Sequence, residues 1–295
     1  MFITATILSI FAFLISFFLF LPSLSISKLT GAIDYPSARK IHSIPTARGG
    51  GISLFFSFAL LMLVSPIRFE IKIPLILGGG VAFIIGFLDD ARSLDPFQKL
   101  SGITLACGIY IFTKQTNSII ENILIFIWLI FITNATNLSD GLNGLAGGTS
   151  ASQALCLAAI SIICGNMTIF LISSLLLGSI VGFLPRNFPN AKIFMGDCGA
   201  LFLGFTLGAI SSELIIEHPT ALSAVSIYLI FRMTIADAVL SFLRRAAKGK
   251  NPFKADKGHF HHRLLNWGFT TDCAALALVS ASLFFGLIGV IIFLI

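Results

Sequence analysis

Charge is scarce in this chain. Only 11% of its 295 residues are Asp, Glu, Lys or Arg, where soluble domains carry about 25%. That shortage argues against a soluble globular protein. Cysteine is sparse as well. Cys107, Cys156, Cys164, Cys198 and Cys273 form no C-x-x-C pair. Cys156 and Cys164 would sit about 12 Å apart along one helix, too far for a disulfide. Basic residues are absent before Lys28. The first apolar run therefore lacks the basic start of a signal peptide and is expected to stay as a membrane span. Internal repeats, low-complexity tracts and nucleic-acid-binding motifs are missing too.

What the chain has in excess is apolar length. Hydrophobic residues make up 56%, Phe alone numbers 30, and the mean hydropathy is +0.98. Ten runs read as transmembrane helices of about 17–25 residues: 2–22, 50–67, 73–88, 97–113, 119–136, 145–164, 167–184, 198–215, 220–242 and 273–295. The expected fold is an all-α polytopic membrane protein, one integral membrane domain over 1–295 built as a bundle of about ten transmembrane helices. Its odd-numbered loops are 23–49, 89–96, 137–148, 185–197 and 243–272. Fifteen of the 19 Lys and Arg residues fall in or beside them. Arg68, Lys72 and Lys114 lie in the even loops, and Arg232 lies inside the ninth span. The positive-inside rule then makes the odd loops cytoplasmic and both chain ends external. The net charge of +6 is thus mostly a topology signal.

The acids follow the same side. Every Asp except Asp237 falls in or at the edge of the odd loops, whereas Glu70, Glu121, Glu213 and Glu217 fall on the other side. Carboxylates at a membrane boundary carry a solvation cost, so they mark a functional site. Asp89-Asp90 ends the third span; a hard cation such as Mg²⁺ takes carboxylate oxygens together with substrate phosphate oxygens. The plain alternative is a solvated helix end, which one Asp would serve as well as two. Asp197 opens the eighth span in a Met-Gly-Asp-Cys-Gly turn. An N-cap is its structural reading; anion binding at a helix N-terminus is its functional one. Asn137 and Asp140 share a turn with Gly141, Gly144, Gly147 and Gly148. His259, His261 and His262 lack the four-ligand spacing of structural zinc. With Lys254, Lys257 and Arg263 they read as a diphosphate cradle, against the alternative of a basic loop on anionic lipid. Asp237 should face the bundle interior; the sequence leaves the partner of Arg232 open. Together these features suggest phosphoryl transfer onto a lipid, by positioning and charge neutralisation. A transporter would place its acids near the bilayer midplane between repeats, which is not the pattern here.

Five ordered motifs resemble one family: Arg39-Lys40-Ile41-His42 with Pro45-Thr46-Ala47-Arg48-Gly49-Gly50, Gly86-Phe87-Leu88-Asp89-Asp90, Asn137 to Gly144, Phe194 to Asp197, and Pro252 to Arg263. Over about residues 34–270 the chain resembles the polyprenyl-phosphate N-acetylhexosamine-1-phosphate transferases, glycosyltransferase family 4. The resemblance implies ten or eleven helices and an active site at the cytoplasmic face of a bacterial inner membrane. It implies transfer of a HexNAc-1-phosphate from a UDP-HexNAc to polyprenyl phosphate, releasing UMP, with Mg²⁺ or Mn²⁺ as cofactor. It allows a homodimer. By position, Asp197 would be the main metal ligand, and Asp89 and Asp90 the pair that binds or deprotonates the lipid phosphate. Asn137 and Asp140 match the glycine turn, Phe194 an aromatic that stacks on uracil, and Asn187 a uridine contact. Arg48, Lys254, Lys257 and Arg263 would contact substrate beside the histidines. The form of the last motif is similar to enzymes that prime O-antigen, enterobacterial common antigen or teichoic acid with UDP-GlcNAc. UDP-QuiNAc, UDP-FucNAc and UDP-MurNAc-pentapeptide are the alternative donors. Two positions depart from the pattern: Asn143 stands where Asp is usual, and Thr234 where Pro is usual. The Asn143 difference keeps an impaired homologue among the alternatives. The motifs are compatible with direct attack on the β-phosphate and with a covalent aspartyl intermediate.

Overall fold

A computed structural model describes residues 2–36, 44–114, 118–249 and 258–295. Helices occupy all ten stretches expected to span. They are α1 (Phe2–Phe18) with α2 (Phe20–Thr30), α3 (Gly50–Val64), α4 (Phe69–Arg92), α5 (Pro96–Lys114), α6 (Ile119–Ser139), α7 (Leu145–Ile163), α8 (Met167–Asn187), α9 (Gly196–Glu217), α10 (Ala221–Ala247) and α12 (Thr271–Phe293). A short helix, α11 (Phe260–Asn266), precedes α12. The protein is an all-α polytopic membrane protein. Among the described residues, seven helices are long and apolar enough to cross a membrane, or eight if α1 and α2, bent by 43°, form one span. The expected count of ten is therefore not matched. α3 has only 15 residues, and α5 carries Gln98, Lys99 and Lys114 within 19.

The first loop holds two two-residue strands, β1 (Ile33–Asp34) and β2 (Thr46–Ala47), paired antiparallel with Asp34 opposite Thr46. Helix α9 is the axis of the bundle. It is almost wholly buried and packs against α4, α6 and α3. Close approach is purchased with glycine: a side chain on Gly86 of α4 would strike the Asp197 backbone, and one on Gly51 of α3 would strike Gly199 and Cys198. These contacts fix the start of α9 against the end of α4. Phe58, Phe202, Phe205 and Phe231 fill the space around it. The start of α1 and the end of α12 lie together with the end of α9, through Phe2–Phe170, His218–Phe293 and Asn166–Glu217 contacts. The loops bearing the Asp residues gather at the opposite end.

Candidate active site

The first turn of α9 is where three elements converge. Asp90, on α4, accepts hydrogen bonds from the amides of Asp197 (2.9 Å) and Cys198 (3.0 Å), one on each oxygen. It caps a helix that its own sequence neighbours do not cap. Asp89, turned about 100° around the same helix, points elsewhere. Its Oδ1 accepts from Leu94 N at 2.7 Å, and its Oδ2 pairs with Lys99 Nζ at 2.9 Å. The same ammonium reaches Asp197 Oδ2 at 2.6 Å. Asn137 Nδ2 donates to the other oxygen, Asp197 Oδ1, at 2.7 Å. One cation thus bridges Asp89 and Asp197, and Asp90 is fixed beside them by the backbone amides of Asp197 and Cys198.

A cavity of about 500 Å³ opens beside this cluster. All five odd loops line it: Asp34 and Arg48 from the first, Asp90 from the second, Asp140 to Asn143 from the third, Asn187, Phe194 and Asp197 from the fourth, and His261 and His262 from the fifth. Arg48 is paired with Asp34 at 2.8 Å. The main chain ties the first loop to the fourth, with Gly50 N donating to Phe194 O, Gly51 N to Met195 O and Phe194 N to Ala47 O. Asn187 spends both ends of its amide on scaffold, accepting from Gly144 N at 2.8 Å and donating to Ile193 O at 3.0 Å. Asn143 Nδ2 donates to Pro189 O at 3.0 Å. The glycine turn is therefore clamped to the fourth loop from both sides.

Asp140 differs from the other acids. No hydrogen bond reaches its carboxyl among the described residues, and part of its surface faces the cavity. Burial, and then the nearby Asp197 charge, push its pKa up to about 7, against the pull of Arg48 and Lys99. His261 moves the other way, down to about 4, because burial and the neighbouring His262 disfavour its cation. The two rings stand 4.2 Å apart. His261 lies flush on Gly141, where a methyl group would collide with the ring.

The histidines separate by role. His259 is buried and absent from the cavity wall. Its Nδ1 meets Asp237 Oδ2 at 2.8 Å, and Asp237 Oδ1 accepts from Phe260 N at 2.8 Å. Asp237 faces the interior, and it anchors the histidine segment onto α10. Arg263 is exposed and does not reach the cavity. Lys254 and Lys257, with Arg39, Lys40 and His42, lie outside the described residues. Sequence reasoning missed Lys99 and Asp34 as site residues. Lys99 left a signal: it sits in the first turn of α5, where the helix dipole disfavours a cation, so a tertiary partner was to be expected.

Among the described residues, no group of three or more His, Cys, Asp or Glu is arranged to hold a metal ion. Mg²⁺ is usually held by one or two carboxylates plus substrate phosphates, so such a cluster is not required. Each Asp197 oxygen accepts one bond here, and an ionised carboxylate offers about four acceptor positions in all. The donor chemistry therefore fits a hard cation shared with a phosphate ligand.

A family model, Glycosyl transferase family 4, matches residues 73–215, which include Asp89, Asp90, Asn137, Asp140 and Asp197. The chain is 32% identical over 279 residues to the probable undecaprenyl-phosphate N-acetylglucosaminyl 1-phosphate transferase of Bacillus subtilis (strain 168), covering 89% of this chain and 77% of that one. The chain belongs to glycosyl transferase family 4. A second member, the undecaprenyl-phosphate alpha-N-acetylglucosaminyl 1-phosphate transferase of Thermotoga maritima, is 32% identical across 94% of this chain and 87% of its own. A third, the phospho-N-acetylmuramoyl-pentapeptide-transferase of Lactobacillus johnsonii, is 34% identical but across 72% of this chain and 71% of its own. The family 4 motifs at the head of α9, at the end of α4 and in the glycine turn meet at one cavity here.

Proposed function

We propose that this family 4 protein transfers GlcNAc-1-phosphate from UDP-GlcNAc to a polyprenyl phosphate such as undecaprenyl phosphate, releasing UMP. The observation that carries this reading is the Lys99-bridged carboxylate cluster, set at a bundle end beside a cavity shared by five loops. There a soluble phosphorylated donor and a membrane-held acceptor can meet. Relatives named for this reaction match over more of the chain than the relative named for the muramoyl-pentapeptide donor. The concentration of Lys and Arg in the cavity-side loops supports a cytoplasmic active site in a bacterial plasma membrane.

In this reading a lipid phosphate oxygen bonds to the β-phosphorus of the donor. The bond from that phosphorus to the bridging oxygen breaks, and the oxygen leaves with UMP. Asp140 takes any proton left on the lipid phosphate, whose second pKa is about 6. A base with a pKa near the working pH suits that task. Asp89 and Asp90 hold Lys99 and the head of α9 in place. Arg48 and His262 face the diphosphate, and Phe194 stacks on the base. His261, neutral at physiological pH, offers hydrogen bonds without charge. Asp197 would hold Mg²⁺, which when bound neutralises charge on the diphosphate.

The test is the purified protein in detergent with polyprenyl phosphate, UDP-GlcNAc and Mg²⁺. UMP and a lipid-diphosphate sugar should form, and both should vanish with EDTA and in Asp197→Asn. Product from another UDP-HexNAc only would move the donor assignment; no product from any donor would overturn the reading. Exchange of labelled UMP into UDP-GlcNAc without lipid would add a covalent aspartyl intermediate.

A further inference from the structure

One charge in this molecule has no place in the reaction. Arg232 is the twelfth of the 27 residues of α10. At 1.5 Å per residue it lies about 17 Å from the helix end remote from the active site. That is near the middle of a hydrocarbon core about 30 Å thick. Its side chain is exposed. Intramembrane arginines almost always face a bundle interior or a watery cavity. Arg232 does neither. Its guanidinium lies over the Phe285 ring of α12, 4.2 Å from the centroid. Among the described residues no carboxylate, carbonyl or hydroxyl bonds to it.

The neighbouring surface repeats the anomaly. Tyr228, one turn away on the same face, is 47% exposed. Its hydroxyl has no hydrogen-bond partner among the described residues. Val225 extends the stripe at 45% exposure. Stacking on Phe285 holds the guanidinium at mid-span depth rather than letting it rise to the headgroups. Two polar groups are therefore presented to the hydrocarbon, and the guanidinium is held in place by its ring contact.

We infer that the α10–α12 face around Arg232 is a docking surface for a transmembrane helix of another protein that carries an Asp or Glu near its midpoint. Charge complementarity selects the carboxylate, because an acid at that depth gains most from a desolvated guanidinium. A second copy of this chain does not supply one. Among the described residues Asp237 is the acid deepest in a spanning helix, and it is buried on His259 and Phe260; Glu213, nearer the end of α9, is taken by Tyr110 and Lys114. Two-fold pairing through this face would also set Arg232 against Arg232, since such an interface brings like patches together. Lipid headgroup phosphates sit at the surface, well above this level.

A photoreactive benzoylphenylalanine at Val225, in membranes of the protein's native host, tests the inference. Cross-linking is compared for Arg232, Arg232→Lys and Arg232→Leu. The expected result is an adduct with one membrane protein bearing a mid-span Asp or Glu. Arg232 and Arg232→Lys both give it, and Arg232→Leu lowers it about tenfold, the scale of an interhelical polar contact in a membrane. Changing the partner's acid to its amide should lower it equally. Turnover in detergent should be the same for all three forms, showing that each is folded. An adduct indifferent to the charge at 232, or adducts only with lipid or a second copy, would overturn the proposal, as would the absence of any protein adduct.

Discussion

Lys99 Nζ stands 2.6 Å from Asp197 Oδ2 although the two residues are 98 positions apart. It also meets Asp89 Oδ2 at 2.9 Å, so one ammonium neutralises two acids from different helices. Removing it leaves two part-buried carboxylates facing each other. Lys99→Met should cut turnover about 10²–10³-fold, the range seen when a preorganised charge-stabilising group is lost. Lys99→Arg should retain more, since the charge remains although its fork geometry differs. UMP release at saturating donor measures both. Wild-type rates in Lys99→Met would show that the bridge plays no part in the reaction.

Asp90 acts on the same point from the other side. Its two oxygens hold the Asp197 and Cys198 amides, and leaving a buried donor without its acceptor costs about 1–3 kcal/mol each. Asp90→Ala should lower the stability by about 3 kcal/mol on that scale. Thermal unfolding in detergent at one scan rate should register the loss. Asp89→Ala should unfold nearer to wild type and lose turnover instead. Equal thermal midpoints for wild type and Asp90→Ala would remove the capping role.

How much of this was legible beforehand divides along physical lines. Long apolar runs marked every major helix, because burying or spanning needs continuous hydrophobic length. The break at Leu19 between α1 and α2 was invisible, since the run continues through it. The seven-residue α11 and the two-residue strands are too short to show a period. Asp89 and Asp90 read as equivalent neighbours, yet helical geometry turns one toward α5 and the other toward α9. Spacing located the acids of the site. It did not reveal Lys99 or Asp34, whose roles depend on partners brought close only by folding. Nor did it separate His259 from His261 and His262, because burial is a tertiary property.

Asp140 gives the site a pH signature. Its carboxyl, raised to about 7 by burial and the Asp197 charge, is a base only when deprotonated. Turnover should therefore climb as pH rises through about 7 and level off above it. Asp140→Asn should remove this limb and lower the plateau about 10²–10⁴-fold, the usual span of acid–base assistance. The same limb persisting in Asp140→Asn would take the base role from Asp140 and assign the limb to another group, the lipid phosphate or a second carboxyl of the cluster.

Gly141 and His261 share one space. A methyl at position 141 would meet the imidazole ring, so Gly141→Ala should push His261 out of line. Small misplacements near reacting groups cost up to about 10²-fold; a fall in kcat of about ten- to a hundredfold is expected. Because the damage runs through His261, Gly141→Ala combined with His261→Ala should be no slower than His261→Ala alone. Additive losses would mean that the glycine serves a separate purpose, since contacting residues that act together are non-additive.

The Asp237–His259 pair predicts a division of labour within the histidine segment. Asp237 accepts from Phe260 N and meets His259 Nδ1, each at 2.8 Å, while His261 and His262 face the cavity. His259→Gln should lower the thermal midpoint by several degrees, as expected for a loss of about 2 kcal/mol in a chain of this size. Its kcat should fall less than about tenfold, because the cavity groups remain present. His262→Gln should do the reverse, with little thermal change and a loss of about a hundredfold or more. Asp237→Asn is the sharper probe. Its oxygen can still accept from Phe260 N, but its amide must donate to His259 Nδ1, which forces the ring into its other tautomer. An intermediate midpoint, between wild type and Asp237→Ala, is the expected result. A His259→Gln protein as stable as wild type but inactive would place that ring among the reacting groups and remove the anchor.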